Sequence, residues 1–91
     1  MARLIKSNGK EEFVTPKEGG KFSLAELQGY VGGYIEGIRL NNGCWAFCDE
    51  EGKLKGKSFN ITATAACKAL GWLSDDILVG DIIICNGGEV D

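Results

Sequence analysis

Histidine is absent from this 91-residue sequence, and no apolar run reaches the 18 or so residues that a membrane span needs. The first absence removes the commonest general base. A nucleophilic thiol or hydroxyl would have to rely on a lysine, a tyrosine or a carboxylate. The second, with an N-terminus (Met1-Ala2-Arg3-Leu4-Ile5-Lys6) too poor in apolar residues for a signal peptide, leads us to expect a cytoplasmic protein with four reduced cysteines. Asn60-Ile61-Thr62 then carries no meaning as a glycan site. Excess charge is also missing. Ten basic residues against thirteen acidic ones give −3, the wrong sign for a general nucleic-acid binder and too mild for a DNA mimic. There is no Walker-type loop, no GxGxxG and no paired-carboxylate metal motif. We expect no catalytic residues, no cofactor, and neither DNA, RNA nor membrane as partner.

What is present is a globular composition, 44% apolar and 25% charged, in a chain long enough for one domain. Residues 2–7 alternate as a strand, and Asn8-Gly9 predicts a two-residue hairpin into a return strand over 11–15. Ser23 and Glu26 make a capping box. The helix it opens carries Leu24, Leu27 and Val31 on one face and stops at Gly32-Gly33. Residues 34–40 read as a strand. Its partner over 44–49 sets Trp45 and Phe47 on one face and Cys44, Ala46 and Cys48 on the other. With both faces apolar, it should be covered on both sides. Asn60 caps a helix over 61–70, with Ala63, Ala66, Cys67 and Leu70 at helical spacing, Gly71 as the stop and Trp72 packing back. Residues 77–85 read as one long central strand. The order is ββαββαβ: a single α+β domain over 1–86 with a mixed sheet and two short helices, fitting a β-grasp-like roll, and a C-terminal tail over 87–91.

Val31-Gly32-Gly33-Tyr34-Ile35-Glu36, then Glu51-Gly52-Lys53-Leu54, Asn60-Ile61-Thr62-Ala63-Thr64 and Val79-Gly80-Asp81, together resemble a family of short proteins of unknown function carried by bacteriophages and mobile elements. The resemblance spans about residues 1–86. It implies a setting, a small viral or plasmid protein acting in a bacterial host cytoplasm, and transfers no catalytic residue. The cysteines at 44, 48 and 85 do not belong to the pattern.

The four cysteines are poor zinc ligands. Cys44 and Cys48, four apart on a strand, stand about 13 Å from each other. They read as small buried hydrophobes, so no metal site is expected. Gly32-Gly33-Tyr34 is either a helix stop followed by a strand or a backbone open to a ligand, with Tyr34 for stacking and Glu36 to accept from ribose hydroxyls. The start of the second helix at Asn60, with Thr62, either is simply capped and solvated or offers amides to a phosphate. Lys53, Lys55 and Lys57 either line a solvated loop or close over that phosphate. Arg39 is a further phosphate-forking cation or an edge guard.

These residues suit a phosphorylated nucleotide-like small molecule, held without being cleaved. The expectation is an anti-defence sponge for a nucleotide-derived immune signal, a cyclic ADP-ribose isomer or a cyclic oligonucleotide. The alternative, from a different class, is a protein–protein module that blocks a host or defence protein through an aromatic surface drawn from Tyr30, Trp45, Phe47 and Trp72. The short chain and its two-faced apolar strand also predict a homo-oligomer.

Overall fold

A computed structural model of the chain describes residues 1–90. The elements run β1 (Ala2–Ile5), β2 (Glu11–Val14), α1 (Leu24–Val31), β3 (Ile35–Arg39), β4 (Trp45–Asp49), α2 (Ile61–Ala69) and β5 (Ile82–Cys85), the expected ββαββαβ order of an α+β domain. The five strands form one sheet in the order β2-β1-β5-β4-β3. Every pairing is antiparallel. The mixed sheet and the β-grasp-like roll are therefore corrected. The chain through α2 brings β5 back antiparallel beside β4, into the slot between β4 and β1, and no parallel pair forms.

The two-faced reading of the central strands explains the layering. Leu4, Phe47, Ile83 and Cys85 meet Leu27 and Val31 of α1 on one side of the sheet. Ile5, Ala46, Cys48, Ile82 and Ile84 meet Ala63 and Cys67 of α2 on the other. Ile5, Ile82 and Ile83 are wholly buried, each contributing roughly 1.5–3 kcal/mol of apolar transfer. Both faces of β4 are thus covered within one chain, and its two-sided apolarity needs no second copy.

Caps follow the sequence. The Ser23 hydroxyl accepts the Glu26 amide at 3.1 Å, and the Glu26 carboxylate accepts the Ser23 amide at 3.0 Å. Gly32, left-handed at φ 79°, ends α1. At the end of α2, the Gly71 amide donates to Lys68 O and the Trp72 amide to Cys67 O, which closes a Schellman turn and folds Trp72 onto the α2 side of the core.

Other expectations are corrected. The Lys6 amide donates to Lys10 O and the Gly9 amide to Lys6 O, so the first hairpin turns through three residues, with Gly9 at φ 91°. Leu24 is exposed, because α1 turns only Leu27 and Val31 inward. The strand read over 77–85 begins at Ile82: Gly80 at φ 75° breaks the extended run, and upstream of it only Val79 bridges, to Phe59. The tail read over 87–91 is folded as far as it is described. Gly87–Glu89 form a 3-10 turn, Glu89 O accepts the Phe22 amide at 2.7 Å, and Val90 joins the α1-side core. Asp91 lies outside the described residues.

Candidate functional site

Three of the singled-out segments meet around one carboxylate. Asp49, at the end of β4, has a side chain only 1% exposed, and the ammoniums of Lys55 and Lys57 both lie 2.8 Å from its Oδ2. Oδ1 accepts the Glu51 amide at 2.9 Å. Lys57 also donates to Val31 O at 2.7 Å and Lys55 to Gly32 O at 3.4 Å. The last turn of α1 has no basic residue of its own, so these two lysines supply the positive charge its carbonyls attract. Burial works to raise the Asp49 pKa. The hydrogen bonds from Lys55, Lys57 and the Glu51 amide outweigh it and hold the carboxyl well below the usual range. Asp49 in turn raises the Lys55 pKa through the hydrogen bond between them.

The glycines serve this cluster. A Cβ on Gly32 would lie 3.1 Å from Lys57 Nζ, and one on Gly80 would lie 2.8 Å from Lys57 Cδ. The close approach read at Gly32-Gly33 is real, and the protein's own lysines make it.

Asn60 is a second internal node. It is wholly buried, and its Oδ1 accepts the Ala63 amide at 2.9 Å. Its Nδ2 donates to Ile5 O at 2.9 Å and to Gly80 O at 2.8 Å. Thr64 Oγ1 donates to Asn60 O and accepts the Leu78 amide, tying α2 to the segment before β5. Thr62, by contrast, is exposed.

A groove of about 270 Å³ lies between the β3–β4 pair and the 72–79 crossover. Ile38, Leu54, Trp72 and Ile77 give it apolar walls. Glu36, Glu50 and Asp76 bring three carboxylates to it against the single ammonium of Lys53, while Asp49, also in its lining, keeps its carboxylate buried under Lys55 and Lys57. Lys53 pairs with Asp76 and thereby lowers the Asp76 pKa. A second hollow, of about 300 Å³, is lined by Ser7, Tyr30, Gly32, Lys57, Ser58 and Asp81.

The expected site residues are therefore dispersed. Glu36 and Lys53 share the first groove, and Gly32 and Lys57 share the second. Gly33 and Lys55 belong to the Asp49 cluster. Tyr34 is exposed at the start of β3, and its carbonyl accepts the Glu50 amide. Arg39 lies 5.9 Å from the Trp45 ring centroid, on the α1 side of the sheet. The three lysines do not close over the start of α2. Lys55 and Lys57 share the Asp49 carboxylate, and Lys53 reaches Asp76. Trp72 enters the groove as one of the aromatics expected of a partner surface, whereas Asp76 and Ile77 were missed as site residues. The signal available was the apolar pair Leu73 and Ile77 set in an acidic loop.

The fold and groove define a class: a small α+β domain whose antiparallel sheet lies between two helices, with one acid-rimmed groove beside an edge strand. The chain belongs to the DUF3846 family, described as a domain of unknown function, whose model matches residues 1–91. This agrees with the resemblance to a family of unknown function. Searches of curated proteins and of solved structures return no match.

Proposed function

We propose that the domain is a non-catalytic binding module that takes a protein partner in the groove between β3–β4 and the 72–79 crossover. The observation that carries this reading is the groove's chemistry. Glu36 and Glu50 stand on its rim without an ion pair among the described residues, while Leu54 and Ile77 on its walls are exposed. Leu73, next to Trp72, is 94% exposed. A partner segment that combines apolar side chains with lysine or arginine complements both features. In the phage or plasmid setting that the sequence motifs imply, such a partner would be a host or defence protein.

Capture of a nucleotide-derived signal is the second reading, and one observation favours it. The hollow beside Gly32 combines Lys57 with Ser7, Ser58 and Tyr30. There the phosphate must compete with Asp49 and Val31 O for the same ammonium.

The test has two arms. Random dodecapeptides displayed on yeast are selected against the full chain and against a Glu36→Lys, Glu50→Lys variant. The same proteins are melted with cyclic ADP-ribose isomers and cyclic di- and trinucleotides. We expect basic–apolar peptides to be enriched on the natural chain alone, with no melting shift from any nucleotide. A shift without peptide enrichment would replace the partner reading by nucleotide capture. Recovery of a chemically altered nucleotide would make the protein an enzyme.

A further inference from the structure

The sheet has two open edges, and they differ. β2 carries successive glutamates, Glu11 and Glu12, one of them clamped on Arg3, and Pro16 follows shortly after. Charge of this kind discourages strand pairing. β3 is longer, carries no proline and has glycine at its centre. The direction of its free backbone groups follows from the ladder with β4. Tyr34 O accepts the Glu50 amide, and the Leu40 amide donates to Cys44 O. Hydrogen-bonding direction alternates along a strand, so the even-numbered residues face β4. Ile35, Gly37 and Arg39 then turn their amides and carbonyls outward, and no strand of the described chain pairs with them.

The same strand forms one bank of the acid-rimmed groove through Glu36 and Ile38. On the opposite face Gly37 has no side chain and lies against the Trp45 and Phe47 rings, where a Cβ would come within 3.3 Å of both. A strand laid along β3 would bond to three outward residues. It would drop alternate side chains toward Glu36 and the groove, and send the others toward the half-buried Trp45.

We propose that β3 is a strand-addition edge: an extended segment of a partner protein pairs with Ile35, Gly37 and Arg39 and places lysine or arginine side chains, spaced two apart, in the groove beside Glu36 and Glu50. This rests on the partner reading of the groove and names how the partner is held. Main-chain bonding supplies affinity and the groove supplies selectivity, the division of labour in strand-addition complexes generally. Charge decides between a foreign segment and a second copy of this chain. Antiparallel pairing of β3 with itself about Gly37 would bring two acid-rimmed grooves together in a protein of net charge −3. A basic segment relieves the repulsion that a second copy would add.

The experiment uses the full chain and the peptides selected on it. Each peptide is remade with N-methyl groups on its odd or on its even amides. One set should lose at least fivefold in affinity and the other should be tolerated, because only alternate amides of an added strand face β3. Hydrogen exchange should slow at Ile35, Gly37 and Arg39 in the complex, with binding weakened by salt. Arg39→Pro, which removes an outward amide and leaves the β4 ladder whole, should weaken binding similarly. Should that variant not fold, the methylated peptides decide alone. If peptides need Glu36 and Glu50 but bind regardless of methylation, the groove reading stands and strand addition is overturned. If no peptide is enriched, both fall. Protection of the three amides that rises with the concentration of the chain alone would assign the edge to a second copy.

Discussion

Gly33 and Asp49 touch in a way that only glycine permits: a Cβ at position 33 would lie 2.7 Å from Asp49 Oδ2 and 2.7 Å from Lys55 Nζ. The carboxylate is buried and held by three donors, two ammoniums on Oδ2 and the Glu51 amide on Oδ1, so it cannot give way without loosening the cluster. Gly33→Ala should destabilise by about 1–3 kcal/mol, the range for inserting an atom into a packed interior. Gly29→Ala, in α1 with open space around it, should stabilise by about 0.5–1 kcal/mol. Urea unfolding of the two variants side by side checks both signs.

Asn60 should prove more than a cap. Asn60→Ala removes the acceptor for the Ala63 amide and both donors to Ile5 O and Gly80 O. Losing a cap costs about 1 kcal/mol, and each buried carbonyl left unsatisfied adds about 1–3 kcal/mol. The expected loss is therefore roughly 3 kcal/mol or more, well beyond a simple cap. A loss confined to about 1 kcal/mol would mean that water replaces the amide.

Acid should weaken the fold through Asp49. Its folded pKa is lowered, so its contribution is complete above the ordinary aspartate value of about 4 and is lost as pH falls toward the depressed one. Asp49→Asn should flatten stability against pH across that window. At neutral pH it should also remove more than the 0–1 kcal/mol or so of an exposed ion pair, because two lysines lose their counter-charge. Chemical unfolding at several pH values reads both effects.

The thiols should differ in reactivity. Burial pushes Cys48 and Cys67 up to about 11 and Cys85 up to about 12, so few thiolates form near pH 8. Cys44 is partly exposed. Brief iodoacetamide treatment of the native protein should label Cys44 alone by mass spectrometry, with the others labelled only after unfolding.

Local chemistry was legible in the sequence. The Ser23–Glu26 box, the Asn60 cap and the Gly71-Trp72 turn each bond within a few residues, so residue order suffices to find them. The two faces of β4 follow from alternation alone. Strand direction was not legible, because whether β5 lies parallel or antiparallel to β1 depends on where the α2 crossover lands. The strand over 77–85 misled because Ile77, Leu78 and Val79 have strand-like side chains, while a long-range bond from Asn60 to Gly80 O and the left-handed Gly80 set the backbone. The lysines misled for a related reason. Their spacing places them in one loop, but Asp49 and Asp76 lie elsewhere in the chain and decide where each points. Of the expected site, Glu36 and Lys53 fell together in one groove. Trp72 and Ile77 joined them, the first read as cap packing and as a surface aromatic, the second as the start of a strand.

Lys57 touches the end of α1 at Val31, the end of β4 at Asp49 and the bend before β5 at Gly80. One side chain thus joins three segments far apart in sequence, with consequences for how the molecule opens. The last turn of α1 cannot fray alone, since releasing Val31 O frees an ammonium that also holds Asp49. Amide exchange at the C-terminal turn of α1 should therefore keep pace with that of the 49–57 loop. Replacing Lys57 by methionine should separate the two rates, turning a single opening event into two.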